Sequence, residues 1–284
     1  MKAGIIDGRA VSEKVRADVA REVAEWVADG NRHPGLATVL VGDDPASAVY
    51  IANKRKACVA AGIADLHRHL SADSTQEEVE TLIRELAQDP AVSGILLQLP
   101  VPAQIDGKAL IAGIPPSKDV DGLTAYSAGL LATNAPGLRP CTPSGVVELL
   151  DHYNVELHGK EAVVVGRSHL VGRPMARLLL ARNATVTIAH RYTTELAPIT
   201  ARADVLVTAT GVPGLITPAH VKPGAAVIDV GITRTEQGLV GDVDFEPVAE
   251  VAGLITPVPG GVGPMTIAML LRNTLTAAKW QRGQ

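Results

Sequence analysis

A tyrosine and a lysine stand four residues apart, at Tyr50 and Lys54. On a helix this spacing places both side chains on one face, one turn apart, and Ser47 lies one turn earlier on nearly the same face. A lysine amine at such a position can accept and return a proton if its pKa falls from about 10.4 toward the working pH. The ordinary alternative is a chance match on an amphipathic helix with a tyrosine at its edge.

The residues before this pair predict the element that positions it. Residues 37–41 form an apolar, β-branched run typical of a buried strand, and Asp44 followed by Pro45 is a favourable helix start. We therefore predict a helix from Pro45 to about Ala61, with Gly62 in the C′ position. This helix would begin at the carboxyl end of a strand, which is where open α/β sheets bind ligands.

Further polar residues occur at places where they need a partner. Gln98 interrupts the apolar strand predicted for residues 92–99, and a buried amide is costly unless it is hydrogen-bonded. Its amide could bond to a loop backbone, or it could lie in the same crevice as Lys54. Asp119 and Asp121 flank a valine in a Pro-rich segment, for which a solvated turn is the ordinary interpretation.

A glycine-bearing turn at residues 166–174 follows a strand predicted for residues 162–165 and precedes a helix. Glycine lets the backbone approach a pyrophosphate, whose charge the helix N-terminus stabilises. The Gly-x-Ser-x-x-x-Gly spacing departs from the usual dinucleotide fingerprint, so the strand–turn–helix setting carries most of the weight. The next strand ends in His190 and Arg191 where NAD would favour an acid, and Arg167 lies in the turn. These cations favour the 2′-phosphate of NADP, unless Arg191 is simply a surface residue.

Composition limits the class of protein. The 284 residues are 46% hydrophobic and 20% charged with a net charge of −4, which favours a globular fold and gives no electrostatic case for nucleic acid or an anionic membrane surface. Cys58 and Cys141 give no disulfide framework, and nothing suggests a metal site. The first residues lack an apolar signal core and no run approaches membrane-spanning length, so we expect a cytoplasmic protein.

Strand and helix patterns alternate along the chain, which predicts an α/β protein with parallel sheets and right-handed crossovers. The Pro- and Gly-rich segment at residues 134–145 is typical of a domain boundary. We therefore predict a first domain of residues 1–140, joined by a C-terminal helix at 265–284, and a Rossmann-type dinucleotide-binding domain at 141–264. A capping box at Ser74 and Glu77 predicts the start of one helix in the first domain.

Six motifs in this order resemble the bifunctional methylenetetrahydrofolate dehydrogenase/methenyltetrahydrofolate cyclohydrolase family over essentially the whole chain. They are Ser47-x-x-Tyr50-x-x-x-Lys54, Gln98-Leu-Pro, Lys118-Asp-Val-Asp121-Gly122, Cys141-Thr-Pro-x-Gly145, Gly166-Arg-Ser-x-x-Val-Gly-x-Pro174 and Pro259-Gly-Gly-Val-Gly-Pro-Met-Thr266. The resemblance implies two three-layer α/β domains around a cleft, a homodimer, and NADP or NAD in the second domain. It also implies oxidation of 5,10-methylenetetrahydrofolate to 5,10-methenyltetrahydrofolate, followed by hydrolysis to 10-formyltetrahydrofolate.

The resemblance assigns roles to residues by motif. It implies that Lys54 is the catalytic amine, that Gln98 supports it, and that Asp121 anchors the pterin. Tyr50 would act beside them, stacked on or bordering the folate rings. The other residues expected to bind substrate are Ser47, Leu97, Leu99, Pro259, Gly260 and Gly261, and those expected to bind NADP are Gly166, Arg167, Ser168, Arg191 and Ile232. Many members carry a serine at the position of Arg191 and then a basic residue, whereas here Tyr192 follows the arginine.

Three alternatives remain at this point. The first is a dehydrogenase with little or no cyclohydrolase activity. The second is a short-chain-type dehydrogenase, but that family places its glycine turn before the Tyr/Lys pair, and here Gly166 comes after Lys54. The third is a non-catalytic NADP-binding sensor, against which the presence of Lys54, Gln98 and Asp121 argues.

Overall fold

The computed structural model describes residues 2–236 and 238–283; residues 1 and 284, which end the predicted domain ranges, and residue 237 lie outside this description. The chain divides into two compact units. The first consists of Lys14–Cys141 and Ile267–Gln284, and we call it the Lys54 unit. The second consists of Met1–Glu13 and Thr142–Thr266, and we call it the Gly166 unit.

Strands and helices alternate along most of the chain, as predicted. The strands are β1 (Gly4–Ile5), β2 (Gly35–Val41), β3 (Ala64–Asp65), β4 (Arg68–Leu70), β5 (Gly94–Leu97), β6 (Glu161–Val165), β7 (Thr185–Ala189), β8 (Val205–Thr208), β9 (Ala226–Asp229), β10 (Thr233–Thr235), β11 (Gly238–Val240) and β12 (Leu254–Ile255). The helices are α1 (Gly8–Ala28), α2 (Pro45–Ala60), α3 (Gln76–Gln88), α4 (Gly107–Ala112), α5 (Ala125–Ala132), α6 (Cys141–His152), α7 (Gly172–Ala181), α8 (Leu196–Thr200), α9 (Phe245–Ala249) and α10 (Val262–Gln281). Short 3₁₀ helices occupy Pro116–Lys118 and Pro218–His220.

In the Lys54 unit, β2 is the central strand of a parallel sheet. It pairs with β5 on one side, and on the other side with β3 and then β4 along successive halves of its length. Alternate residues of β2 and β5, including Val39 and Leu97, pack against α3 and α4. Leu40 and Leu96 therefore point to the other face, which α2 covers. Helices on both faces of the sheet give three layers.

In the Gly166 unit, the parallel sheet has the strand order β1-β12-β9-β8-β6-β7. The chain passes from β6 to β7 on one side and then to β8 on the other, so the strand order reverses at β6. Residues 2–13, which the sequence predicted in the other domain, belong here because β1 pairs with β12, Gly4 opposite Leu254. A two-residue strand has no periodicity that could have predicted this pairing.

Helix starts follow local chemistry with two corrections. Asp44 caps α2 by accepting a hydrogen bond from the Ser47 N–H at 2.7 Å, as predicted. The capping box of α3 is Thr75 with Glu78 rather than Ser74 with Glu77. Helix α10 begins at Val262, before its predicted start at residue 265, and Pro264 falls in its first turn, where an N–H is not needed.

None of the described helices is both long enough and apolar enough to cross a membrane.

Candidate functional site

Lys54 lies on α2, which begins at the C-terminal end of β2, the point in that sheet where strand order reverses. Its Nζ donates a hydrogen bond to Gln98 Oε1 at 3.0 Å. Gln98 extends the β5 ladder through its backbone N–H, and its side-chain Nε2 donates to the Leu99 carbonyl at 2.6 Å. Because that nitrogen is already bonded, the amide oxygen faces the amine. The structure thus brings Lys54 and Gln98 together.

The surroundings of Lys54 disfavour its charged form. Burial lowers the pKa of Lys54, and the charge of Asp121 opposes this to a smaller extent. Gln98 is uncharged, so it orients the amine without stabilising an ammonium as a carboxylate would. A larger fraction of Lys54 is therefore neutral, and able to accept a proton, than of a surface lysine at the same pH.

Asp121 lies in a segment that runs beside β5. Asp119 forms an isolated parallel bridge with Ile95, so Asp121 follows toward the end of β5 that carries Gln98. This close approach requires Gly94, since a Cβ there would lie 2.3 Å from Val120 Cγ1. Burial raises the pKa of Asp121, while the neighbouring Lys54 opposes the rise.

The two charged residues before Asp121 are structural. Lys118 is buried, and its Nζ caps the end of α3 by donating to the carbonyls of Leu86 at 3.1 Å and Asp89 at 2.8 Å. Asp119, expected from the sequence to lie in a solvated turn, is buried and accepts hydrogen bonds from the start of α5. Its donors are Leu123 N at 3.1 Å, Thr124 N at 2.9 Å and Ser127 Oγ at 2.6 Å.

A residue of α10 that the sequence analysis missed also holds this segment. The side-chain amide of Asn273 donates to the carbonyl oxygens of Val120 and Arg139, each at 2.8 Å. The Cys141 thiol donates to the same Val120 oxygen at 3.3 Å. The available signal was a lone asparagine within the apolar pattern of the last helix.

The other predicted substrate contacts of the Lys54 unit differ in exposure. Tyr50 lies one turn before Lys54 and is 50% exposed, whereas the Ser47 side chain is buried. The Leu97 side chain packs into the core with α3 and α4, and Leu99 is partly buried against the same core. Leu97 could therefore contact a ligand only through its backbone atoms.

The predicted folate-bordering loop Pro259–Gly261 belongs to the Gly166 unit. Gly261 N donates to the Pro257 carbonyl at 2.8 Å, and Gly260 has a φ of +113°. The loop packs on the first turn of α1, where a Cβ on Gly8 would lie 1.7 Å from the Gly261 oxygen. The structure places this loop in a different unit from Lys54.

The glycine turn follows β6, at the point where strand order reverses in its own sheet. Gly166 has a φ of +126°, and a Cβ there would lie 2.4 Å from the Ala209 carbonyl oxygen. A Cβ on Gly172 would lie 2.2 Å from the Gly166 oxygen, so this glycine lets α7 start against the strand end. Ser168 Oγ accepts hydrogen bonds from Val171 N at 3.1 Å and Gly172 N at 3.4 Å.

The turn presents donors that fit a dinucleotide phosphate. The backbone N–H groups of Arg167, Ser168 and His169 bond to no other residue within 2–236 and 238–283. Successive free N–H groups at a helix start favour an anion. Arg191 lies two residues after the end of β7. Its guanidinium and that of Arg167 both lie beside the Tyr192 ring. The residues present therefore fit NADP.

Two buried aspartates, Asp229 and Asp242, lie near the other predicted cofactor contact, Ile232, whose side chain is exposed. Asp229 accepts hydrogen bonds from the backbone N–H groups of Gly231 at 2.9 Å, Asp242 at 3.1 Å and Val243 at 2.9 Å. Burial raises the pKa of Asp229 to about 6. Asp242 accepts from the Thr208 and Thr210 hydroxyls, and the sequence analysis singled out neither aspartate.

No three His, Cys, Asp or Glu side chains in the described part of the chain group closely enough to hold a metal ion. The geometry around Lys54 is instead that of an acid–base site. An amine with a lowered pKa, an orienting amide and a nearby carboxylate can together bind a polar substrate and move a proton.

Comparison with known proteins gave matches over nearly the full length. The family model "Tetrahydrofolate dehydrogenase/cyclohydrolase, catalytic domain" matches residues 6–121, and "Tetrahydrofolate dehydrogenase/cyclohydrolase, NAD(P)-binding domain" matches residues 140–282. Bifunctional protein FolD 2 of Frankia alni is 68% identical, with 98% of this chain and 97% of the relative covered.

Solved structures agree with these matches. The bifunctional enzyme FolD, methylenetetrahydrofolate dehydrogenase/cyclohydrolase, from Campylobacter jejuni superposes with a TM-score of 0.96 at 45% identity, covering 98% of this chain and 99% of the other. The Trypanosoma brucei N5,N10-methylenetetrahydrofolate dehydrogenase-cyclohydrolase, solved with NADP cofactor and an inhibitor, has a TM-score of 0.94 at 41% identity, with 100% of both chains covered.

Proposed function

This chain belongs to the tetrahydrofolate dehydrogenase/cyclohydrolase family, and we propose that the site around Lys54 serves both reactions of the family. The chain is an NADP-dependent enzyme that oxidises 5,10-methylenetetrahydrofolate to 5,10-methenyltetrahydrofolate and hydrolyses this product to 10-formyltetrahydrofolate. The observation that supports the assignment of the site is the hydrogen bond between the partly buried Lys54 amine and the Gln98 amide oxygen.

The oxidation step requires little acid–base catalysis by the protein. NADP⁺ would supply the hydride acceptor, and the positive charge left at the methylene bridge would be shared by the two flanking nitrogens of the folate. The chain's task in this step is to hold the folate in a reactive orientation. Asp121 supplies one fixed point for that orientation, and Tyr50 supplies an aromatic surface one turn from Lys54.

The hydrolysis requires proton transfer in both directions. Water adds to the cationic methenyl carbon and loses a proton, which the neutral Lys54 amine accepts. The resulting ammonium returns the proton to the ring nitrogen that leaves as the ring opens. Gln98 holds Nζ in place through both steps, and the burial that lowers the pKa of Lys54 favours the neutral form at the start.

Asp121 anchors the pterin in this proposal. The pterin presents adjacent N–H and NH₂ donors, which one carboxylate can accept as a pair. These donors favour the charged carboxylate and so counteract the burial that raises the pKa of Asp121. The other proposed folate contacts of the Lys54 unit are Ser47, Leu99 and the backbone of Leu97. The family resemblance supports a further folate contact by Pro259–Gly261.

NADP would be held by the Gly166 unit. The free N–H groups at residues 167–169 suit the pyrophosphate, and Gly166 lets the backbone turn sharply beneath it. Arg167 and Arg191 suit the 2′-phosphate, since each presents a guanidinium near the ends of β6 and β7. Ile232 offers an exposed apolar side chain to the cofactor.

We also infer that the enzyme is a cytoplasmic homodimer. The dimer is supported by the family resemblance, and sedimentation equilibrium at micromolar concentration tests it; a monomer would contradict it. The compartment is supported by Cys58 and Cys141, which are both unpaired thiols, as is usual in reducing surroundings.

A two-wavelength assay with 5,10-methylenetetrahydrofolate and NADP⁺ tests the proposed function. It follows NADPH and methenyltetrahydrofolate separately. We expect NADPH to form while the methenyl compound stays at or below the level set by its non-enzymatic hydrolysis. NADPH with accumulating methenyl product would indicate a dehydrogenase alone and would contradict the Lys54 mechanism.

A further inference from the structure

Two arginines from separate segments converge on one tyrosine ring in the Gly166 unit. Arg167 lies in the turn after β6, with its Cζ 5.5 Å from the centroid of the Tyr192 ring. Arg191 follows β7, with its Cζ 4.6 Å from the same centroid. Arg191 Nη2 also donates a hydrogen bond to the Tyr192 hydroxyl at 2.5 Å.

The charges of this cluster are not balanced by the protein. Neither Arg167 nor Arg191 forms an ion pair with a carboxylate of residues 2–236 or 238–283, although other surface arginines such as Arg202 do. Two guanidinium groups beside one ring repel each other, and the ring quadrupole offsets only part of that repulsion. An anion with two negative charges and several acceptor oxygens would complete the arrangement, which is the chemistry of a phosphate monoester.

The position of Tyr192 is set by a local turn. The ring is 64% exposed, so packing in the core does not hold it. Instead, the Tyr192 N–H donates to His190 Nδ1 at 3.3 Å, and the His190 N–H donates to Thr193 Oγ1 at 2.9 Å. The His190 and Tyr192 rings meet edge to face, with centroids 6.1 Å apart.

We propose that Tyr192 is a specificity-determining positioning residue, which holds Arg167 and Arg191 at the spacing that grips the 2′-phosphate of NADP and so sets the preference for NADP⁺ over NAD⁺. The inference rests on the proposed function, in which the two arginines bind that phosphate. Many members place a serine and then a basic residue where this chain has Arg191 and Tyr192. In this chain the tyrosine ring would hold Arg167 and Arg191 in position to bind the 2′-phosphate.

Calorimetric binding of adenosine 2′,5′-bisphosphate and of AMP isolates this subsite, because the two probes differ only in the 2′-phosphate. We expect Tyr192→Leu to weaken binding of the bisphosphate about 5- to 30-fold, as loss of two exposed cation–π contacts implies. Binding of AMP should stay within about twofold. Tyr192→Phe keeps the ring and loses only the hydroxyl, so its effect should be smaller.

Matched variants separate positioning from charge and from folding. Arg202→Ala removes one cation from the same unit, but its partner Glu161 begins β6 at the opposite end of the strand from the glycine turn, so bisphosphate binding should not change. In the background Arg191→Ala, Tyr192→Leu should cost less than it does alone, since one of its two partners is already gone. With saturating NADP⁺, the dehydrogenase kcat of Tyr192→Leu should match that of the parent while KM for NADP⁺ rises.

Two results would overturn the inference. Unchanged bisphosphate binding in Tyr192→Leu would mean that the arginines hold their places without the ring. Equal losses for the bisphosphate and AMP would mean that the ring contacts the adenosine common to both. A failure of the proposed function looks different: Arg167→Ala and Arg191→Ala would then leave the bisphosphate affinity unchanged.

Discussion

The proposed reactivity of Lys54 rests on a partly buried amine whose hydrogen-bond acceptor is an uncharged amide. We expect Lys54→Met to lower cyclohydrolase kcat by about 10²- to 10⁴-fold, the usual contribution of a positioned acid–base group. Dehydrogenase activity should survive to a larger extent, because hydride transfer needs orientation more than a base. Lys56→Met, an exposed change on the same helix, is the matched control. Hydrolysis of methenyltetrahydrofolate measures the loss, and retained turnover in Lys54→Met would contradict the role given to the amine.

Gln98 provides a test of the lowered pKa of Lys54. Replacing Gln98 by Glu puts a carboxylate against Nζ, which should raise the pKa of Lys54 and leave less neutral amine at neutral pH. We expect the cyclohydrolase rate of Gln98→Glu to fall at pH 7 and to recover as pH rises, so its pH profile moves to higher pH. Gln104→Glu adds the same charge beside the backbone carbonyls of Ala72 and Ser74 and should leave the profile in place. Coincident profiles for Gln98→Glu and the parent enzyme would refute the argument.

At the scale of elements, α10 stabilises the segment that carries Asp121. Asn273 of this helix joins the Val120 and Arg139 carbonyls, and Asn273→Ala would leave both buried oxygens without that donor. We expect a loss of about 1–3 kcal/mol in the free energy of unfolding, together with a higher KM for methylenetetrahydrofolate and an unchanged KM for NADP⁺. Urea unfolding and initial rates measure the two effects.

The next residue of α10 supplies the control for this prediction. The buried Thr274 hydroxyl donates only within the helix, to the Leu270 carbonyl at 2.8 Å. Thr274→Ala should therefore lower stability without changing the KM for the folate. If both variants raised this KM alike, the effect would belong to the helix as a whole and not to the Asn273 bonds.

Elements with local signals were predictable from the sequence. The apolar run of β2 and the Asp44-Pro45 start of α2 depend only on neighbouring residues, and both predictions are confirmed. The capping box was wrong by one residue because Ser74 and Thr75 each have a glutamate three residues later. Ser74 was excluded by its backbone, which closes the preceding turn through a hydrogen bond to the Ser71 carbonyl.

The rest of the candidate site depends on contacts between distant parts of the chain. Gln98 could be found because a polar residue in an apolar strand needs a partner. Lys118 and Asn273 could not be assigned, because their acceptors lie in other elements and no spacing rule connects them. The same holds for the pairing of β1 with β12, which depends on residues near the two ends of the sequence.

At the scale of the whole molecule, Asp229 links stability to pH. Its pKa is raised to about 6 from 3.8, so between these values the folded protein binds a proton that the unfolded chain releases. The free energy of unfolding therefore decreases as pH rises from about 4 through 6, by about 3 kcal/mol from this group. Asp242 is the carboxylate that adds to the shift, and the three N–H donors oppose it.

Denaturant unfolding of the parent protein and of Asp229→Asn across pH 4–7 isolates this contribution. Asparagine does not titrate, so the difference between the two stabilities should change by about 3 kcal/mol over the range. Titratable groups elsewhere in the chain are present in both proteins, so their contributions cancel in the difference. A difference that stays constant with pH would show that Asp229 keeps one protonation state throughout.

The interleaving of the two units along the chain has a consequence during synthesis. The sheet of the Gly166 unit needs both Gly4 and Leu254, and the Lys54 unit needs Asn273 against a loop made more than a hundred residues earlier. A ribosome that has made the first half of the chain has therefore completed neither unit. Because domains made of one continuous stretch can fold as they emerge, whereas each unit here also draws on the last third of the chain, we expect neither unit to be complete until translation is nearly over.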